Sequence, residues 1–430
     1  MLLSGITLMA LLAGVSSGAL KANAGSETFG HNTGLRNRQQ RSGRIAPKVV
    51  VVSMFDPEAE VWYENATNST LVGNITANLI PVPGLSPLYP FVYCNERGEV
   101  CQLTVGESEI NAATSMMAFA LYRLFDLSKT YFLLAGIAGI NPKLGTLGSV
   151  ALSRFSVQVA LQYEIDAREM PANFSTGYLP YGAYTADEYP STIYGTEVME
   201  VNENLRDAAA AFAQRAKLAD SASAAEYRDK YHVDGGEYAA ATNGPGVIKC
   251  DTATADVYYS GILLSEAFEN TTKLWTNQST ITYCASAQED SATLQALMRV
   301  AIPELVDFSR VILMRTGSDF DRPPPSISAF QHLRIVDQGG FSIAIQNIYL
   351  AGIKIVEGIL DEWDSKYHDG IKPTNYIGDI FGTLGGEPDF GSKGSWFNGT
   401  GFSPTSRTEV GLQKRRISPG RKGKRAGGWK

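Results

Sequence analysis

Four short segments carry side chains that could do chemistry, and each stands after an apolar run or at a helix start. Asp56, Glu58 and Glu60 come just after the run 48–52, in Asp56-Pro57-Glu58-Ala59-Glu60. Ser318 and Asp319 follow the run 311–314, with Asp321 two residues further on. Glu289 and Asp290 open a helical pattern, and Tyr258 and Tyr259 stand side by side in Thr254-Ala255-Asp256-Val257-Tyr258-Tyr259-Ser260. Carboxyl groups on different elements can divide acid–base work: one raised toward neutrality by burial donates a proton, another, ionised, accepts one. A further carboxylate can accept from ligand hydroxyls, and aromatic rings offer a face for a planar group. Each residue also has an ordinary structural explanation. Ser-Asp pairs cap turns and helices; Asp321 could do the acid's work in place of Asp319, and is the stronger capping candidate. An acid after a proline at the first helical position is a standard helix start, which would account for Glu58; Asp56 and Glu60 compete with it for the base role. Glu289 and Asp290 could merely cap, and the tyrosines could merely pack. The 4 His are scattered and the cysteine spacing does not suit zinc, so no metal site is expected, and no cofactor.

The elements that must hold these residues show in the hydrophobic pattern. The β-branched run at 48–52 fits a buried parallel strand. A helix is predicted at 110–124 and a buried strand at 131–135, ending in Gly136-Ile137-Ala138-Gly139. An alternating strand follows at 148–159, then an Ala-rich helix at 201–220. Further strands are predicted at 247–250, 280–284 and 311–314, with helices at 290–302 and 343–363. Strands alternating with helices imply an α/β domain around a central sheet, spanning 48–390. In such folds the site lies beyond the carboxyl ends of the strands. The positions after Val52, Ala135, Cys284 and Met314 are where the residues above stand.

The composition, 44% hydrophobic and 19% charged, is that of a globular chain. Formal net charge is −7, and the segment 414–430 carries Lys and Arg without acids. The remaining body is strongly acidic, which argues against a nucleic-acid partner. The stretch 391–430 reads as a disordered basic tail. Residues 1–24 read as a secretory signal peptide, apolar and closing on Ala22-Asn23-Ala24, and 25–47 as a linker. Beyond that leader no transmembrane segment is expected. Asn141-Pro142 breaks the run 131–140, and Lys354 and Glu357 interrupt 345–360. Sequons at Asn65, Asn68, Asn74, Asn173, Asn270, Asn277 and Asn398 suggest a secreted glycoprotein. Cys94 and Cys101 flank a hairpin-like turn and could pair; Cys250 and Cys284 are left as a disulfide or as buried thiols.

Taken in order, the motifs resemble purine nucleosidases of the nucleoside phosphorylase/hydrolase superfamily, such as methylthioadenosine nucleosidase. The segment Val50-Val51-Val52-Ser53-Met54-Phe55-Asp56-Pro57-Glu58 is similar to their first strand and loop. Gly136 to Gly139, then Gly148-Ser149-Val150, resembles their glycine turn and next strand. Gln162-Tyr163-Glu164-Ile165-Asp166 resembles a tyrosine-bearing segment, and 254–260 the base-stacking segment. Gln288-Glu289-Asp290-Ser291 resembles the acidic helix start that holds ribose hydroxyls. Arg315-Thr316-Gly317-Ser318-Asp319 resembles the Ser-Asp motif whose Asp protonates the purine. Over its whole length the chain is similar to the fungal purine nucleoside permeases. The resemblance implies a three-layer α/β/α fold with a central mixed sheet, nucleoside phosphorylase-like. It also implies Asp319 as general acid to the purine and Glu58 as the water-activating base. Tyr258, Tyr259, Glu289, Asp290, Gly136, Ile137 and Ser318 would then bind substrate.

Family phosphorylases hold phosphate with Ser or Thr in the glycine turn and with arginines nearby. Ile137 stands in that turn here, and the first loop carries Glu58 and Glu60 without an Arg. These departures point to water as nucleophile, hence to a secreted purine nucleoside hydrolase. The alternative is a non-catalytic nucleoside-binding protein that assists uptake. The expected partner is a purine nucleoside, and a homo-oligomer is left open.

Overall fold

The computed structural model describes residues 43–276 and 281–381. The expected leader at 1–24, most of the linker at 25–47, the tail at 391–430, and Asn277 and Asn398 lie outside the described residues. The strands are β1 (Val49–Ser53), β2 (Asn78–Pro81), β3 (Phe91–Cys94), β4 (Val100–Thr104), β5 (Tyr131–Ile140), β6 (Val150–Gln158), β7 (Gln162–Glu164), β8 (Tyr178–Pro180), β9 (Val198–Glu200), β10 (Val247–Thr254), β11 (Tyr283–Ala287), β12 (Val311–Phe320) and β13 (Gly378–Asp379).

Eleven of them form one mixed sheet in the order β13-β9-β6-β10-β11-β5-β1-β4-β3-β2, with β12 pairing both β5 and β6. β1 runs parallel to β4 and β5, β12 parallel to β5, and β10 parallel to β6 and β11. β11 also meets the end of β5 antiparallel, so β5, β12, β6, β10 and β11 close on themselves. Alternation along β1 shows the layers. Val50 and Val52 pack with Met116 and Phe119 of the helix Glu109–Leu121 and with Leu294 and Leu297 of the helix Asp290–Ala301. Val49 and Val51 face the other way, toward Trp62 of the helix Asp56–Asn65, Phe212 of the helix Glu203–Ala213 and Ile348 of the helix Phe341–Asp361. A strand buried on both faces is apolar at every position, which is why β1 shows no period of two in its sequence. The fold is the expected three-layer α/β/α arrangement around a central mixed sheet.

Several elements differ from the sequence reading. β5 and β12 run to Ile140 and Phe320, paired with each other along their length. The Gly136–Ile137–Ala138–Gly139 segment, expected to leave the strand as a turn, is therefore strand interior. The hairpin-like turn expected between Cys94 and Cys101 joins β3 to β4, whereas β2 and the helix Ile262–Trp275 carried no prediction. The helix Phe341–Asp361 corrects the membrane argument. Despite Lys354 and Glu357, it is 21 residues long with a mean hydropathy of 1.4, enough by length and composition to cross a bilayer. In this fold 67% of that apolar stretch is buried, against the sheet. Cys94–Cys101 bridges paired positions of β3 and β4, and Cys250–Cys284 joins β10 to β11.

Candidate functional site

The carboxyl ends of β1, β10 and β11 and the second halves of β5 and β12 meet around a cavity of about 170 Å³. Glu58 enters it from the first turn of the helix Asp56–Asn65, whose start carries Pro57 and whose preceding residue, Phe55, supplies no side-chain cap. Its carboxylate folds back instead, accepting from the Met54 N–H at Oε2 and the Ile137 N–H at Oε1, both at 2.7 Å. Glu58 thus stands at a helix start and on the cavity wall at once. The residue is 1% exposed. Burial pushes its pKa up to about 8, against the pull of Arg315 and of the two N–H donors.

Arg315 is the buried cation behind this wall, 2% exposed. Its guanidinium donates to Asp290 Oδ1 at 2.6 Å, to Glu289 Oε2 at 3.0 Å and to the Ile137 carbonyl at 2.9 Å. No role is expected of Arg315 from the motif that contains it. The available signal was a charge inside the apolar strand 311–320, which demands buried carboxylate partners. Glu289 lines the cavity, its Oε1 accepting from the Ser108 N–H at 3.1 Å. Asp290 does not: it is fully buried against Arg315, so of the two candidate acids only Glu289 stands where a ligand could reach it. Gly136 is not a lining residue either. A Cβ there would meet Arg315 Nη1 at 2.7 Å and Glu58 Oε1 at 2.8 Å, so the glycine's absent side chain is the space these charges occupy. Gly136→Ala is expected to push them apart and cost about 1–3 kcal/mol of stability. A thermal melt matching the parent's would show the cluster to be looser than this.

Asp319 stands on the opposite side. Pairing of β12 with β5 slips between Gly317 and Asp319, a bulge that leaves Ser318 as the extra residue. Neighbouring strand residues ordinarily point to opposite faces; the bulge lets Ser318 and Asp319 both line the cavity. The Ser318 hydroxyl lies 2.7 Å from Asp319 Oδ1, and the Tyr258 hydroxyl donates to Oδ2 at 2.8 Å. Burial raises the Asp319 pKa, while these two hydroxyls hold it back. Tyr258 is 62% exposed as a residue with its hydroxyl turned inward. Its segment is tied down by Asp256, which accepts from the Ser108 hydroxyl and the Glu109 N–H, both at 2.9 Å.

Glu58, Ile137, Tyr258, Tyr259, Glu289, Ser318 and Asp319 therefore all line one cavity. Met54, Phe55, Glu107, Ser286 and Arg315 line it too and were not singled out in the sequence. Two residues quoted from the sequence stand away from it. Tyr163 lies on β7, half exposed, in the separate two-stranded sheet with β8. Asp321 is no cap: its carboxylate is buried, gripped by Arg322 at 2.8 and 2.9 Å and by the Tyr283 hydroxyl at 2.8 Å. Among the described residues no group of His, Cys, Asp and Glu could hold a metal ion.

A family model described as purine nucleoside permease matches residues 46–372. A purine nucleoside permease of Candida albicans is 44% identical over 353 residues, 81% of this chain and 84% of that protein. A probable purine nucleoside permease of Schizosaccharomyces pombe is 40% identical over 325 residues, 74% of this chain and 90% of that protein. Among solved structures, a methylthioadenosine/S-adenosylhomocysteine nucleosidase from Colwellia psychrerythraea in complex with adenine is 12% identical, with a TM-score of 0.42, covering 72% of this chain and 94% of that one. Futalosine hydrolase of Helicobacter pylori is 14% identical, with a TM-score of 0.41, over 74% of this chain and 98% of that one. At those scores the likeness carries nothing about the site.

Proposed function

The chain belongs to the purine nucleoside permease family, and from that premise we propose that its cavity binds a purine nucleoside in the service of nucleoside uptake. The observation that carries this is the match to the family model of that name over residues 46–372, which spans β1 to β12 and so every residue of the cavity. The lining suits such a ligand. Tyr258 and Tyr259 offer aromatic surface to a base, Glu289 an acceptor for sugar hydroxyls, and Asp319 a carboxyl group for a ring nitrogen.

A second reading, cleavage of the N-glycosidic bond by water, is favoured by one specific feature. Glu58 and Asp319 face the same cavity from two elements, and the pKa of each is raised. A leaving purine must be neutralised, which a protonated Asp319 can do; water attacking the sugar needs a base, which ionised Glu58 can be. Phosphate is disfavoured as the nucleophile. Arg315 is already shared by Asp290 and Glu289 with Glu58 beside it, so three carboxylates face one guanidinium, and Ile137 adds no side-chain donor.

Purified full-length chain titrated with adenosine and inosine, with ribose assayed with and without phosphate, tests both readings. Binding without ribose leaves uptake alone. Ribose released at the same rate with and without phosphate is the outcome expected if the site cleaves. Ribose 1-phosphate appearing only with phosphate would replace water by phosphorolysis. Absence of any binding would remove the nucleoside site altogether.

A further inference from the structure

We propose that Tyr258 serves the cavity twice: its ring covers a bound base, and its hydroxyl is the positioning group that clamps the Asp319 carboxyl against that base. The inference rests on the nucleoside reading above and adds to it the residue that governs when Asp319 can take a ring nitrogen.

The segment that carries Tyr258, between β10 and the helix Ile262–Trp275, is tied at both ends and in its middle. The Ala255 N–H donates to the Ala287 carbonyl at the end of β11, and the Gly261 N–H to the Asp321 carbonyl, both at 3.0 Å. Asp256 is gripped by Ser108 and Glu109, and its own carbonyl accepts from the Gln288 amide at 3.1 Å. One end of this arch is thus fastened just past β12, the strand that carries Asp319. A surface tyrosine ordinarily keeps its polar tip in water. Tyr258 is largely exposed, yet its hydroxyl is turned inward to Asp319 Oδ2. The other oxygen, Oδ1, is taken by Ser318, whose hydroxyl also lies 3.1 Å from the Ala138 carbonyl. Oδ2 passes over Gly139, a lining residue on which a Cβ would stand 3.7 Å from it. Two hydroxyls therefore clamp the carboxyl, one on each oxygen, and Tyr258 shares with the cavity the oxygen that Ser318 leaves.

The clamp has a chemical consequence. A hydroxyl that donates to a carboxyl group holds its ionised form more strongly than its protonated form. Tyr258 therefore works against burial, which favours the protonated form of Asp319. It keeps its own proton while doing so, because burial and the neighbouring carboxyl raise its pKa. A purine N7 presents a lone pair, which a protonated carboxyl binds and an ionised one repels. Nucleoside affinity should fall as pH rises through the point where Asp319 loses its proton, and Tyr258 sets where that point lies. The other groups facing Asp319 do not pass through Tyr258. His332, on the helix Ala329–Arg334, sits between the Tyr227 hydroxyl and the Phe320 carbonyl, and burial lowers its pKa. Burial raises the pKa of Tyr227, on the helix Ala222–Arg228. Asp321 is engaged by Arg322 and Tyr283. Across the cavity stand Glu58, Glu107, Glu289 and Arg315, which a change at Tyr258 leaves in place.

The test follows the affinity of the full chain for adenosine across pH by calorimetry, so it does not depend on cleavage. Adenosine is chosen because its base has no ring N–H to lose. Glu58 titrates in the same cavity, so the midpoint belonging to Asp319 is the one that Asp319→Asn removes and that 7-deazaadenosine, with C–H in place of N7, does not show. Tyr258→Phe keeps the ring and removes the hydroxyl. That midpoint should then move up by on the order of one pH unit. Between the two midpoints the variant loses less of its low-pH affinity than the parent does. A merely structural role of the hydroxyl would scale affinity by one factor at every pH and leave the midpoint in place. Tyr258→Ala should show the raised midpoint with weaker binding throughout, which separates the ring from the hydroxyl. A midpoint unmoved in Tyr258→Phe, a 7-deazaadenosine curve that keeps it, a parent without one, or full affinity in Tyr258→Ala overturns the inference while leaving the nucleoside site standing. No binding of adenosine by the parent at any pH overturns both.

Discussion

On the cleavage reading, Asp319→Asn keeps nucleoside affinity within a few-fold and lowers turnover by about 10²–10⁴-fold, the usual worth of general acid catalysis. The amide retains the shape of the carboxyl. Its oxygen can still accept from the Ser318 hydroxyl, and the Tyr258 hydroxyl, now facing an NH₂ group, can turn to accept instead of donate. What the amide cannot do is pass a proton to a leaving purine. A residue present only to hold the bulge of β12 would tolerate the change, since Asn serves backbone roles about as well as Asp. Thermal melts run beside the kinetics separate misfolding from lost chemistry. Folded Asp319→Asn protein turning over at the parent rate would end the mechanism. Asp321→Asn, two residues along, is not a neutral control. Asp321 is the buried partner of Arg322, so its neutralisation is expected to cost stability on the order of 3–5 kcal/mol.

How far the sequence revealed the site depends on the kind of signal each residue leaves. Glu58, Ser318, Asp319, Tyr258 and Glu289 stand just beyond apolar runs or at a helix start, and in an α/β fold such positions converge at one end of the sheet. Their proximity was therefore legible. The choice between Glu289 and Asp290 was not. It depends on the twist of one residue at the start of the helix Asp290–Ala301, which turns Asp290 inward to Arg315 and leaves Glu289 on the cavity. The bulge at Ser318 was hidden too, because Gly317 and Ser318 fit a regular strand or a turn equally well. Expecting β5 and β12 to end at Ala135 and Met314 followed from the glycines and from Arg315. Glycine commonly ends a strand, but here Gly136 and Gly139 are the points where Arg315, Glu58 and Ser286 approach the backbone. The contacts of Asp321 left no local mark, since Tyr259, Tyr283 and Asp321 meet only through the pairing of β10, β11, β5 and β12.

Glu58→Gln carries the other large effect, in two measurements that move independently. Glu58 binds its proton at about 8 in the folded chain against an ordinary value of 4.5. Between those values the folded state holds a proton that the unfolded state has lost, so unfolding releases it and stability falls as pH rises from about 4.5 to about 8. The contribution is fully present below the lower value and gone above the upper one, and its size is on the order of a few kcal/mol. Gln has no proton to lose, so the variant should show a flatter dependence of stability on pH across that window. The comparison is of slopes, because Gln Oε1 can satisfy only one of the Met54 and Ile137 N–H groups well, and the other costs about 1–3 kcal/mol at every pH. Turnover tests the same carboxyl in its other form. A base must be ionised to activate water, so the limb of parent hydrolysis set by Glu58 should rise with pH toward about 8, where Glu58 is half charged, opposed by a falling limb as Asp319 loses the proton it must donate. Glu58→Gln should lower turnover about 10²–10⁴-fold at that pH while nucleoside still binds. An unchanged stability slope would mean another group titrates in that window. Retained hydrolysis in the variant would move the activation of water elsewhere, with Glu58 left as the acceptor that fixes the first turn of its helix against β5.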